Sequence, residues 1–140
     1  MGGSQWSATM LNKRNLVLSL LGAAVLVTSP VAASAEKILK NGAFTGKSGH
    51  VTSGSVSIVR TSDGIEVRLG SSFKLDSAPD PWLGFGNNGK YDSASEIAIL
   101  KSHNGSQIYR IAGPVDVSKY NEFYIWCRKF SVPLGVAKLK

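Results

Sequence analysis

From residue 36 onward the chain shows no helical period. Apolar and polar residues alternate in short runs, and turn residues recur about every ten positions, the spacing of all-β domains. Ser55–Thr61 (SVSIVRT) and Ile65–Leu69 (IEVRL) flank Ser62-Asp63-Gly64. In the second run Ile65, Val67 and Leu69 face one way, and Glu66 and Arg68 the other. Asp-Gly supplies the positive φ that a tight hairpin needs. Glu96–Lys101 (EIAILK) and Gln107–Ala112 (QIYRIA) flank His103-Asn104-Gly105 and predict a second hairpin. Phe123–Phe130 (FYIWCRKF) predicts an aromatic strand and Val136–Leu139 a closing one. Shorter strands are expected around Ala43–Thr45, Ser72–Leu75 and Trp82–Phe85. The sum is a single antiparallel β-sandwich or flattened barrel of about 7–9 strands. Strands are expected to pair mostly with their sequence neighbours, as in a meander.

The first 35 residues follow a different pattern. Lys13 and Arg14 precede a 12-residue apolar run, Leu16–Val27, followed by Pro30 and the small-residue end Ala33-Ser34-Ala35. A basic start, a short apolar core and an Ala-x-Ala end predict a secretory signal peptide over residues 1–35, helical before cleavage, with residues 36–140 as one mature β domain. The run falls short of the roughly 20 apolar residues that cross a bilayer, so no stable span is expected after cleavage. The expected location is periplasmic or extracellular.

Composition narrows the choice of partners. The 140 residues carry 16 Lys+Arg against 9 Asp+Glu, a formal net charge of +7. Removing Lys13 and Arg14 with the leader lowers this to +5. The basic residues are scattered singly, without a block or a basic helix, so no nucleic-acid partner is expected. The expected partner is a redox or cell-envelope protein. Cys127 is the single cysteine, which excludes an internal disulfide framework, a dithiol and an iron–sulfur cluster. An unpaired thiol in an oxidising compartment is buried, cross-linked to a second chain, oxidised or liganded. A disulfide-linked dimer through Cys127 is one expectation.

Two segments stand out. Asp76–Ser95 (DSAPDPWLGFGNNGKYDSAS) is rich in Pro, Gly and Asn and carries Trp82, Phe85 and Tyr91. A segment of this kind is a binding loop with aromatic platforms, or a loop pinned to the core by Trp82 and Phe85. The other segment is the strand around Cys127. With period 2, Phe123, Ile125, Cys127 and Lys129 share one face, and Tyr124, Trp126, Arg128 and Phe130 the other. Both faces begin apolar and end cationic. Either the strand is covered on both sides, or one aromatic face is a working surface.

At this strand the sequence resembles the DM-13 domain family, a module of electron transfer found in exported bacterial proteins, in Skeletor-like proteins and beside DOMON and b-type cytochrome domains. The resemblance runs from Asn41 to Leu139. It begins with Gly42-Ala43-Phe44, His50, Gly54 and Ile58, and continues through Phe73, Pro79-Asp80, Leu100, Gly105 and Tyr109. It ends with Tyr120, Ile125-Trp126-Cys127, Phe130, Val132, Gly135, Ala137 and Leu139, the most specific part. Leu134, after Pro133, stands where the family has an aromatic residue. The resemblance implies a β-rich fold with a redox role centred on Cys127, as a bare thiol or as a ligand to a prosthetic group.

The residues limit that chemistry. There is no Cys-x-x-Cys-His for covalent haem, and both methionines, Met1 and Met10, lie in the leader. A blue-copper site would need His50, His103 and Cys127 together, yet no His follows Cys127 as the usual ligand loop requires. What remains is Cys127 as a thiolate, or as an axial ligand to non-covalent haem, with His50 and Trp126 as the other candidate cofactor residues. A protein without cofactor is the equal alternative. Trp126, Tyr124 and Tyr109 are candidate electron relays or ordinary strand aromatics. No acid, base and oxyanion set accompanies Cys127 and His50, so the chain is not expected to be an enzyme. The competing reading is an extracellular binding module working through the Asp76–Ser95 loop.

Overall fold

The computed structural model of the protein describes residues 24–30 and 35–140. The leader expected over residues 1–35 lies largely outside the described residues. Among those residues, no helix is long and apolar enough to cross a membrane.

The domain is all-β. Its strands are β1 (Lys37–Gly46), β2 (Thr52–Ser53), β3 (Ser55–Thr61), β4 (Gly64–Leu69), β5 (Lys74–Leu75), β6 (Pro81–Asn87), β7 (Lys90–Asp92), β8 (Ala98–Ile99), β9 (Gln107–Arg110), β10 (Glu122–Cys127) and β11 (Val132–Lys138). Nine of them form one antiparallel sheet in the order β7-β6-β10-β11-β1-β3-β4-β9, with β8 added to β6. β2 and β5 form a separate two-stranded ribbon. The sheet curls on itself into a half-barrel.

The corner is β1. Its first part pairs with β3, from Lys37↔Arg60 to Ala43↔Ser55, and its last part with β11, from Phe44↔Ala137 to Gly46↔Gly135. A register shift between Ile38 and Lys40 bends the strand, as an extra residue in a ladder does. At Gly42 a side chain would run into the Lys138 carbonyl, so glycine lets the two strands close there.

The curl folds two apolar faces together. Val56, Ile58, Val67, Leu69 and Tyr109 line one half of the core; Leu83, Phe85, Phe123, Ile125 and Cys127 line the other. Phe123 sits between Phe44 and Phe85, edge to face with each, at centroid separations of 6.2 and 5.0 Å. Each such large side chain contributes about 1.5–3 kcal/mol when buried.

Two expectations are corrected. The predicted hairpin between residues 96–101 and 107–112 does not form. Only Ala98–Ile99 is a strand there, and it pairs with β6, while β9 pairs with β4. Side-chain bonds explain the wider connection: Gln107 accepts the Ser102 N–H and donates to the Ser102 and Gly105 carbonyls. They hold residues 102–107 as a broad loop. The meander is also interrupted. β6–β10, β11–β1 and β4–β9 join strands distant in sequence, because closing the core requires the chain ends to meet. The predicted hairpin at residues 62–64 does form, with Thr61 opposite Gly64 and Gly64 at φ +129°.

Candidate functional site

β10 sorts its side chains as period 2 demands. Phe123, Ile125 and Cys127 enter the core. Tyr124 and Trp126 stand on the opposite, outer face. Cys127 is 1% exposed. It ends the strand opposite Pro81 of β6, and its thiol donates to the Pro79 carbonyl at 3.2 Å. The Phe130 N–H approaches the sulfur at 3.4 Å from the turn that follows. The sulfur thus lies in a packed corner between residues 79–81 and 127–130.

That packing bears on the expected disulfide-linked dimer, because it places the only sulfur of the described residues inside the fold. A disulfide to a second chain would require the 79–81 segment to open first. It also tests the haem reading. An axial sulfur needs an open side where iron can approach, and here the sulfur meets a backbone carbonyl and a backbone N–H within the core. The residues around Cys127 do not fit a haem.

The outer face of β10 holds an aromatic cluster. Tyr91 of β7 stacks on Trp126 with ring centroids 4.5 Å apart and planes 8° from parallel. Tyr91 meets Tyr124 edge to face at 5.5 Å, and Tyr124 meets Trp126 at 6.4 Å. Glycines make the space. Gly84 and Gly86 occupy the outer face of β6, and side chains there would overlap the Tyr91 and Tyr124 rings respectively. The rings lie over bare backbone.

Each phenol in this region has its own carboxylate. Tyr91 donates to Glu96 Oε2 at 2.6 Å, Tyr124 to Glu122 Oε1 at 2.9 Å, and Tyr120 to Asp92 Oδ2 at 2.5 Å. Burial, reinforced by the Glu96 bond, pushes the Tyr91 phenol well above its ordinary value. Burial and the Glu122 bond do the same for Tyr124. For Tyr120 the Asp92 bond is the main cause. Glu96 also pairs with Arg128, whose guanidinium lies 3.6 Å from the centre of the Trp82 ring.

The other expected site residues lie apart. His50 follows β1, and its Nδ1 meets Asp76 Oδ1 at 2.8 Å. Asp76 also accepts the Val51 N–H at 2.9 Å, so His50 fastens a loop. No hydrogen bond joins His50 to Cys127, and Trp126 stands on the other face of β10 from the sulfur. Among the described residues no three His, Cys, Asp or Glu side chains cluster as metal ligands do. The Asp76–Ser95 segment is mostly not a loop. It contains β6 and β7, Phe85 is a core residue, and Arg128 covers one face of the Trp82 ring. Tyr109 turns into the core, where its hydroxyl bonds to Gln107.

Sequence reasoning missed Tyr91, Glu96 and Glu122 as members of one group. A signal was present: β6 reads Trp-Leu-Gly-Phe-Gly, with glycine at alternate positions, which marks a strand face that something large covers.

The family model described as electron transfer DM13 matches residues 43–139. No curated protein and no solved structure matches the chain.

Proposed function

The chain belongs to the electron transfer DM13 family, and on that footing we propose that it is an exported one-electron carrier whose redox-active groups are Tyr91 of β7 and the β10 residues packed against it. Export rests on the leader pattern of residues 1–35. The observation that carries the rest is the Trp126–Tyr91 stack with the Tyr91 phenol bonded to Glu96. A phenol that loses an electron must also lose its proton, and a carboxylate held at hydrogen-bond distance accepts it. Oxidation sends one electron from Tyr91 to a metal-centred one-electron oxidant on a partner protein, while the proton passes to Glu96 Oε2. Re-reduction by a second carrier returns electron and proton. Trp126, in parallel contact with the Tyr91 ring, shares the hole.

Cys127 is the second redox-capable group of the strand. It follows Trp126 directly in the chain, and its burial shields the sulfur from disulfide exchange and oxygen-atom transfer, both of which need an accessible thiolate.

The test is flash oxidation of the purified chain by a ruthenium photo-oxidant, followed by transient absorption and electron paramagnetic resonance. A tyrosyl signal lost in Tyr91→Phe and kept in Cys127→Ser is expected. Unchanged kinetics in both Tyr91→Phe and Trp126→Phe would overturn the proposal. Loss of the signal in Cys127→Ser alone would move the carrier to the sulfur and overturn the aromatic assignment.

A further inference from the structure

Next to the aromatic cluster, the outer face of β1, β11 and β10 forms a cleft of about 880 Å³, within the usual size of small-molecule sites. Its floor follows from register. Thr45, Val136 and Tyr124 stand opposite one another across the three strands, with Ala43 and Pro133 beside them. Two inter-strand spacings make this floor about 10 Å across. That is the width of a fused ring system, and broader than an acyl chain needs. The floor is low because the β1 residues there are small.

Charge is arranged at the ends. Lys138 and Lys140 alternate onto the same face of the closing segment, and Lys47 stands at the far end beside Pro133. Among the described residues, none of these three lysines is paired with a carboxylate. Glu122 faces Lys138 across the ladder. It is 8% exposed, and its Oε1 accepts both the Tyr124 hydroxyl and the Gly89 N–H, the latter at 2.7 Å. Its other oxygen accepts no hydrogen bond among the described residues, although the side chain lines the cleft. A buried polar atom without a partner points to a ligand donor.

We propose that this cleft binds a flat fused-ring molecule bearing a phosphate or carboxylate. The ring lies on Ala43, Thr45 and Pro133, the open part of the lining above the buried Val136 and Tyr124, with a ring N–H or hydroxyl donating to the free Glu122 oxygen. The anionic group meets Lys138 and Lys140, which act as point charges toward phosphate. The assignment concerns occupancy and stands apart from the electron-carrier reading.

The probes are flavin mononucleotide and riboflavin, which differ by one phosphate. Quenching of flavin fluorescence by the full chain reads binding without any redox step. Saturable quenching by the mononucleotide is expected, with riboflavin bound about tenfold or more weakly, the worth of a charge-assisted contact. The paired change Lys138→Gln and Lys140→Gln should erase that difference. Ala43→Leu, at an exposed position, should block both probes. Absence of quenching at millimolar probe, or equal affinity for the two flavins, would overturn the proposal. So would binding that ignores Ala43→Leu. Because no variant touches Tyr91, Trp126 or Cys127, failure here leaves the flash-oxidation test untouched.

Discussion

The thiol of Cys127 and the carbonyl of Pro79 meet at 3.2 Å although 48 residues separate them in the chain. The contact closes the corner where β10 ends, and it requires the 79–81 segment to stay in place. Reaction of the sulfur with a soluble reagent therefore requires that segment to open. Modification by an aromatic disulfide reagent should be at least about a hundredfold slower in the folded chain than in denaturant. It should produce no disulfide-linked dimer under native conditions. Equal rates in the two states would show that the corner does not hold.

All four tyrosines, Tyr91, Tyr109, Tyr120 and Tyr124, are shifted upward from the ordinary value of 10.0. Burial is the main cause for Tyr91, Tyr109 and Tyr124, and the Asp92 bond for Tyr120. A group with a raised folded value stabilises the fold below its unfolded value, and that stability is lost as pH rises through the folded value. Phenolate absorbance should therefore stay low as pH passes 10.0, then rise together with loss of tertiary structure. Normal titration of Tyr91, Tyr120 or Tyr124 in the folded chain would contradict the phenol–carboxylate pairs.

Gly86 lies under the Tyr124 ring and beside the Lys90 carbonyl. Gly86→Ala should cost about 1–3 kcal/mol, as overpacking does, read from urea unfolding with an unchanged denaturant slope. It should also disturb the Tyr91–Trp126 stack, seen in near-ultraviolet circular dichroism. A neutral substitution would mean that the ring moves aside freely.

Asp76 holds the turn after β1 by accepting the Val51 N–H and the His50 ring. These bonds, the Val51 N–H first, keep its carboxyl below the ordinary 3.8. A lowered carboxylate stabilises the fold above its unfolded value, and that stability disappears as pH falls through the folded value. Asp76→Asn should flatten the acid limb of the stability curve below pH 3.8 and leave the alkaline limb as it was. An unchanged acid limb would remove Asp76 from the account.

The alternation in Ser55–Thr61 and Ile65–Leu69 was legible because a strand with one buried face must alternate, and the turn between them carries its own signal. The Cys127 strand was legible in the same way over residues 123–127, down to the two faces of those side chains, whereas residues 128–130, expected to continue it, form the turn that follows. The hairpin expected between residues 96–101 and 107–112 was not, because two alternating runs do not state their partners. β9 found β4, and β8 found β6, through a core that exists only once the sheet has curled.

Sequence alone determined the all-β class, the family and the position of the single sulfur on an aromatic strand. These depend on local period and residue type. Tertiary structure decided that Cys127 faces Pro79 inside the core, that Glu96 and Glu122 stand at the Tyr91 and Tyr124 hydroxyls, and that three lysines frame a cleft over β1, β11 and β10. Each of these depends on register between strands distant in the chain. Register is set by the collective burial of side chains, which no local stretch of sequence contains.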